Sequence, residues 1–389
     1  MSKRRKLDDG STKTKEIGVG VLGYGMMGKA HSQAYKNAAT LSRSTIVPKL
    51  VSICGRTEAR VREVARGFGF KNFCTDWKNV TRDPEVEIID NTLPTDSHCE
   101  PLIEAVEMGK HVICEKPLAR NYEEALRMYK AVRKSGVVHG IGFNYRWVPA
   151  IRQAKKLIDE GYLGKIMTFH GGYKQDYGIS LPWNWRVRRE KSGYGALGDL
   201  GSHILDLARF LVGDVKKIFG MSKTFVKERP LPGNESKTGP VDVDDTSMAL
   251  LDFEDGAIGS IVASWSHLGR TNSLYFEIYG SEGAIKFNLE RLNELQVYGA
   301  RAHKEDDECG FKRIFISGDI HPYYVFWWPK GELLGTGDIY TIEIYEFLKS
   351  ISENKEFTPD FYDGVINCAI MDSIIRSGRE GKWVKIPSP

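Results

Sequence analysis

The sequence of 389 residues has no C-x-x-C pair, and its six cysteines (54, 74, 99, 114, 309 and 368) form no ladder of the sort a disulfide framework needs. That excludes a stapled secreted scaffold and makes a reducing cytoplasm the expected setting. No apolar run reaches the ~18 residues that cross a bilayer, and the first residues lack the apolar core of an export signal, so neither membrane insertion nor export is expected. There is no H-E-x-x-H and no cluster of cysteine and histidine, so no metal site is expected. An excess of one charge is missing too: 55 basic residues face 51 acidic ones, for a net +4. Part of that excess is "KRRK" (Lys3 to Lys6), in a stretch with almost no apolar content. Residues 1–15 therefore read as a solvated basic tail and no nucleic-acid partner is expected; an import or nucleic-acid patch is the other reading of such a run.

What is present is ordinary globular composition, 41% hydrophobic and 27% charged, with length for two domains. From Ile17 a short apolar run feeds Gly23-Tyr24-Gly25-Met26-Met27-Gly28 and then a helical pattern. In G-x-G-x-x-G one glycine makes the tight turn, one lets backbone approach a pyrophosphate and one packs helix on strand, while the helix N-terminus offers N–H groups to phosphate. Strands at "KLVSICG", "EIIDNTLP" and "HVICEKP" alternate with helices from Glu58 and Cys99. Residues 16–145 thus read as an α/β dinucleotide-binding domain of the Rossmann type, a doubly wound parallel sheet. Where the second strand ends, an NAD site usually presents an acid to the ribose; here stands Cys54-Gly55-Arg56-Thr57. Arg56 can pair with a 2′-phosphate, so of NAD and NADP the reading favours NADP, with adenine stacking or solvent as the alternative for this side chain.

"CEKPLA" (Cys114 to Ala119), with Asn91-Thr92-Leu93-Pro94 and His98 before it, joins the glycine motif. The set resembles the glucose-fructose oxidoreductase and inositol dehydrogenase (Gfo/Idh/MocA) family over nearly the whole chain. The resemblance implies that Lys116 lies between nicotinamide and the reacting sugar hydroxyl. It implies cofactor contacts at Gly23, Tyr24, Gly25, Met26, Met27, Gly28, Arg56, Thr92, Leu93, Pro94, His98, Glu115, Lys116 and Asn144. It also maps an Asp-x-x-x-His signature onto Asp199 and His203 in "GALGDLGSHILDLARFLVG". Four-residue spacing places both on one helix face, a turn apart, and an imidazole of pKa ~6.5 suits it to accepting a hydroxyl proton. Asp199 would hold the ring or contact a substrate hydroxyl, and the glycines around it read as room for substrate. Taken locally, the same pair is a dipole-favoured acid and a core histidine.

Residues 146–389 read as a substrate-binding α+β domain: a helix at Ile151 to Glu160, then hairpins around Asp255-Gly256 and Gly280 to Gly283, forming a large, mainly antiparallel open sheet. Family members associate through that sheet, so a homo-oligomer, dimer or tetramer, is expected. Lys227 to Asp245 reads as a mobile connection near the site or an oligomer contact, and a last helix, Tyr362 to Ser377, precedes "GKWVKIP", expected to return to the first domain. Gly171 to Asp199 mixes aromatic, amide and guanidinium groups, the mixture a sugar needs. "GKAHSQAY", "FNYR", Gln175-Asp176 and "GPVDVDD" resemble the members of the family that oxidise C3 of 1,6-anhydroglucose. That implies substrate contacts at Lys116, Tyr145, Gln175, Arg186, Asp199 and His203, with Arg188 and Arg189 as alternatives to Arg186. The expected activity is hydride transfer between nicotinamide and a secondary ring hydroxyl of a sugar or anhydrosugar. An inositol or glycoside 3-dehydrogenase is the alternative, and a non-catalytic sugar or dinucleotide sensor the reading from another class.

Overall fold

The computed structural model describes residues 15–41, 46–299, 309–324 and 329–389; the basic run at Lys3 to Lys6 lies outside them. In β1 (Lys15–Leu22) two exposed residues precede six buried ones, the unbroken apolar run of a strand covered on both faces. With β2 (Ile46–Cys54), β3 (Asn72–Cys74), β4 (Ile88–Asn91), β5 (His111–Cys114) and β6 (His139–Ile141) it forms a parallel sheet of order β3-β2-β1-β4-β5-β6. The order reverses between β1 and β4, and the crevice at the carboxyl ends of strands there is where such sheets take ligands.

The second sheet has nine strands, ordered β16-β15-β14-β13-β7-β12-β11-β8-β17. They are β7 (Ile166–Lys174), β8 (Val215–Lys223), β11 (Thr246–Phe253), β12 (Ile258–Ser264), β13 (Ser273–Gly280), β14 (Gly283–Asn288), β15 (Glu294–Gly299), β16 (Lys312–Phe315) and β17 (Val384–Lys385). Among the described residues only β7 and β12 pair in parallel in this sheet. The Ser202–Val212 helix lies on β7 and the Phe361–Glu380 helix on β8, covering one face. On the other, Met221, Met248, Leu250 and Ile258 are each half exposed.

Two parts differ from expectation. Residues 227–245 are not an open connection: β9 (Glu228–Leu231) and β10 (Asn234–Pro240) form a hairpin, tied down by the buried Arg229, whose Nη2 donates to Asp245 Oδ1 at 2.9 Å. "GKWVKIP" supplies β17, which pairs with β8 in the second sheet. It is the C-terminal helices that return to the first sheet's helices. Thr336–Glu353 packs on Met26–Leu41, with Asn37 Nδ2 donating to Thr341 Oγ1 at 3.3 Å. Asp372 on Phe361–Glu380 accepts from the Tyr122 amide at 2.8 Å.

Candidate active site

Gly23 follows β1 with φ +110°, and a Cβ there would stand 2.5 Å from Thr92 Oγ1; only glycine takes this turn. The Gly23 amide donates to Cys54 O at 2.9 Å and the Thr92 amide to Leu22 O at 2.8 Å, which locks the ends of β1, β2 and β4 together. A Cβ on Gly28 would be 2.1 Å from Gly23 O, whereas one on Gly25 would meet nothing within 4 Å. That open approach lies at the N-terminus of the 16-residue Met26–Leu41 helix, so the turn fits a dinucleotide pyrophosphate. Met26 is exposed and Met27 half-buried beside the turn, Tyr24 packs its ring over Gly55, and Arg56 is exposed at the end of β2. Leu93 and Pro94 line the half-buried loop after β4, and Asn144 is buried at the start of the Asn144–Trp147 turn.

Two expected cofactor contacts are otherwise engaged. His98 is buried, its Nε2 is 2.8 Å from Leu93 O and its Nδ1 3.2 Å from Leu118 O. Its two ring nitrogens thus face backbone carbonyls of the loop after β4 and of the segment after β5. Glu115 is buried, with one oxygen 3.2 Å from His31 Nε2 and the other accepting from the Lys116 amide at 3.0 Å. Both carboxylate oxygens are thus taken by the protein's own groups.

Lys116, placed at the end of β5, reaches across to the second half. Its Nζ donates to Asp199 O at 2.8 Å and lies 3.3 Å from Asp199 Oδ1. Asp199 occupies a π-helical turn, Leu197–Gly201, which runs into the Ser202–Val212 helix carrying His203. Asp244 caps this junction: its Oδ1 and Oδ2 accept from the Gly195 and Leu197 amides at 2.9 and 2.8 Å. A Cβ on Gly195 would fall 1.9 Å from Asp244 O, and those on Gly198 and Gly201 would strike Tyr194 and Leu197. These glycines give way to the protein's own atoms, not to room for substrate.

Asp199 does not hold the His203 ring. Its Oδ2 accepts from Tyr177 OH and its Oδ1 from Lys116, while His203 Nδ1 is buried without a hydrogen-bond partner. Burial pushes the Asp199 pKa up, but the Lys116 and Arg186 cations and the two hydrogen bonds outweigh it, bringing it down to about 2. Burial, with the nearby Lys116 charge, holds His203 well below the ordinary histidine value despite Asp199. The ring is therefore neutral at neutral pH, as a proton acceptor must be.

Tyr145 lies against His203 with ring centroids 4.7 Å apart. The Arg146 guanidinium, buried beside it, donates to both oxygens of Asp206 at 2.8 and 2.6 Å; Asp206 is on the His203 helix, so this pair sets Tyr145 against His203. Tyr145 OH is 2.8 Å from Tyr173 OH, and Tyr173 OH and Gln175 Nε2 both donate to Asn272 Oδ1, at 2.6 and 2.7 Å. Of the three arginines, Arg186 acts on Asp199 and Tyr177. Arg188 lies over Trp183 and pairs with Glu190, and the Arg189 amide binds Asp242. Tyr177, Tyr173 and Asn272 are parts of this cluster that no sequence motif marked; only the aromatic and amide richness of residues 171–199 pointed near them, while Asp244 stands in "GPVDVDD" with no role read from it.

A glycine turn for a dinucleotide at the switch point, with a lysine, a carboxylate and a neutral imidazole gathered beside it, defines a nicotinamide-dependent oxidoreductase. Residues 17–143 match the oxidoreductase family with an NAD-binding Rossmann fold and residues 151–286 the GFO/IDH/MocA C-terminal domain, and the chain belongs to the Gfo/Idh/MocA family. It is similar to the levoglucosan dehydrogenase of Pseudarthrobacter phenanthrenivorans, 40% identical over 96% of this chain and 99% of that protein. The scyllo-inositol 2-dehydrogenase (NAD(+)) of Bacillus subtilis is 26% identical over 95% of this chain and 96% of that protein. The solved levoglucosan dehydrogenase in complex with NADH and levoglucosan superposes with a TM-score of 0.93, covering 96% of this chain and 100% of that one. Among the described residues no helix is long and apolar enough to cross a membrane.

Proposed function

We propose that the protein is an NAD-dependent dehydrogenase of an anhydrosugar, oxidising a secondary ring hydroxyl to the ketone, with levoglucosan as the favoured substrate. The observation that carries this is the meeting of Lys116, from the first sheet, with Asp199, one turn before the neutral His203. Bound nicotinamide supplies the hydride acceptor. Lys116 donates to the substrate oxygen and stabilises the charge that develops on it. His203 takes the hydroxyl proton. Asp199 anchors the Lys116 ammonium and, with Tyr177, closes one side of the pocket. Tyr145, Gln175 and Arg186 orient the remaining hydroxyls. The six cysteines are free thiols, which fits work in a reducing cytoplasm.

The test is nicotinamide reduction by NAD and by NADP, each against levoglucosan, glucose, methyl glucoside, xylose and myo-inositol. Levoglucosan with NAD is expected to give the highest kcat/KM. A preference for myo-inositol would move the protein to the cyclitol dehydrogenases, and tight cofactor binding with no turnover on any sugar would favour the sensor. Arg56, exposed at the end of β2, supports some use of NADP. Arg56→Ala is expected to weaken NADPH binding about tenfold and leave NADH unchanged, read by quenching of protein fluorescence.

The bare face of the second sheet supports self-association. Met221 pairs in register with Met248 and Phe219 with Leu250, a continuous apolar strip of the kind that marks an interface. Leu250→Glu is expected to lower the solution mass, measured by light scattering, to that of a single chain. An unchanged mass would exclude this face as the contact.

A further inference from the structure

His31, on the Met26–Leu41 helix, is fully buried and takes no part in the chemistry described above. Its Nδ1 lies 2.9 and 3.1 Å from the two oxygens of Asp90, at the end of the β4 strand, and its Nε2 3.2 Å from Glu115 Oε1. Ionised carboxylate oxygens only accept, so with Asp90 and Glu115 both ionised each ring nitrogen carries a proton and the ring is an imidazolium. Burial lowers the His31 pKa, but Asp90 and Glu115 raise it well above the usual histidine range. From the Thr336–Glu353 helix, Tyr340 faces the ring with centroids 5.7 Å apart, and the buried Glu343 acts on it electrostatically. Burial first, then the Glu115 and Asp90 charges, pushes Glu343 well above the carboxylate range against the pull of His31. The Tyr35 hydroxyl, on the same helix as His31, also faces Asp90 and Glu343 and is pushed up by burial. One buried cation thus serves two carboxylates.

The consequence reaches the reacting site through Glu115. Its second oxygen accepts from the Lys116 backbone amide at 3.0 Å, and Lys116 Nζ then extends to Asp199. We propose that His31 is a positioning residue: an imidazolium clamped between Asp90 and Glu115, it fixes the carboxylate that holds the Lys116 backbone and so sets where Lys116 presents its ammonium. A neutral amide in its place offers donors from one atom only and cannot span the two acids. The inference rests on Lys116 acting at the substrate oxygen.

His31→Gln is expected to lower kcat by about ten- to a hundredfold, the scale of a small misplacement of a reacting group. NADH affinity and KM for NAD should stay near wild type, and the acid limb of the kcat/KM profile should move to higher pH, because a buried cation near the site is gone. A merely structural role would instead lower the melting temperature and the fraction of sites binding NADH, leaving kcat per NADH-binding site and the pH profile unchanged. Should this variant fail to fold, His31→Asn with Asp90→Asn removes the cation together with one acid and leaves Asp90 no stranded charge. The same fall in kcat per binding site is expected there, since Glu115 still loses its partner. Wild-type kcat and pH profile in either folded variant would overturn the proposal. Lys116→Ala run alongside separates the two claims: if it turns over normally, the Lys116 assignment fails, and if it is inactive while the His31 variants are not, only the tether fails.

Discussion

Lys116→Ala is expected to cut kcat for sugar oxidation by on the order of a thousandfold, while NADH still binds with near wild-type affinity. As the hydroxyl proton departs, the substrate oxygen acquires negative charge before hydride transfer completes, and a fixed donor in a partly dehydrated site is worth more there than in water. In the proposed mechanism Lys116 is that donor: its side chain is 14% exposed, and it is already aimed by bonds to the Asp199 carbonyl and carboxylate. The site's cost extends past the lost bond, because Asp199 owes much of its depressed pKa to Lys116. With alanine the carboxyl titrates at higher pH and the site carries one more uncompensated negative charge near the developing alkoxide. The dinucleotide turn is built from Gly23, Gly28, Thr92 and the Met26–Leu41 helix, whereas the Lys116 ammonium is bonded to Asp199, so cofactor affinity is expected to be spared. Stopped-flow kinetics beside an NADH titration checks both halves, and wild-type turnover would end the assignment.

The sequence made the first sheet legible because its signals are local. An apolar strand, a glycine turn and a helix follow one another at β1 and Met26–Leu41, and each element's neighbour in sequence is its neighbour in space. The hairpins β11/β12 and β13/β14 announced themselves in the same way, by alternation around a turn. The Thr336–Glu353 helix did not. Its Ile339, Thr341, Ile342 and Ile344 are β-branched, a composition that leans toward strand, and what makes it helical is burial against Met26–Leu41. The π-turn was hidden for a similar reason: "GALGDLGSH" reads as an ordinary helix start, and the insertion depends on Asp244, 45 residues after Asp199, gripping the Gly195 and Leu197 amides.

The site divides along the same line. Motifs marked Lys116, Asp199 and His203, but not what each one touches. Spacing left Asp199 either holding the histidine ring or meeting a substrate hydroxyl; in the π-turn its carboxylate lies on Lys116 and Tyr177. Tyr173 and Asn272 are 99 residues apart and meet because β7 and β13 are paired, a contact no spacing rule reveals. His98 and Glu115 stand in cofactor-linked motifs, yet their partners are backbone and His31.

His203→Asn is the second large loss, about a hundred- to ten-thousandfold in kcat, the usual contribution of a placed proton acceptor. Its pH dependence distinguishes it from every other variant. In the wild-type enzyme the His203 pKa is depressed by burial and by Lys116, so the neutral, accepting form dominates above that low value. Oxidation should therefore show no inflection near the ordinary histidine pKa of ~6.5 and fall only when more acidic pH protonates the ring. An inflection near neutrality would mean that the ring is solvated and not the buried base described here. Asparagine removes the titrating group without leaving a large void beside Tyr145, whose ring packs 4.7 Å away. The acid limb should vanish, and the residual rate should climb steadily with pH, because the hydroxyl proton must then leave to solvent before hydride does. A variant that kept the wild-type acid limb would place the proton acceptor elsewhere in the cluster.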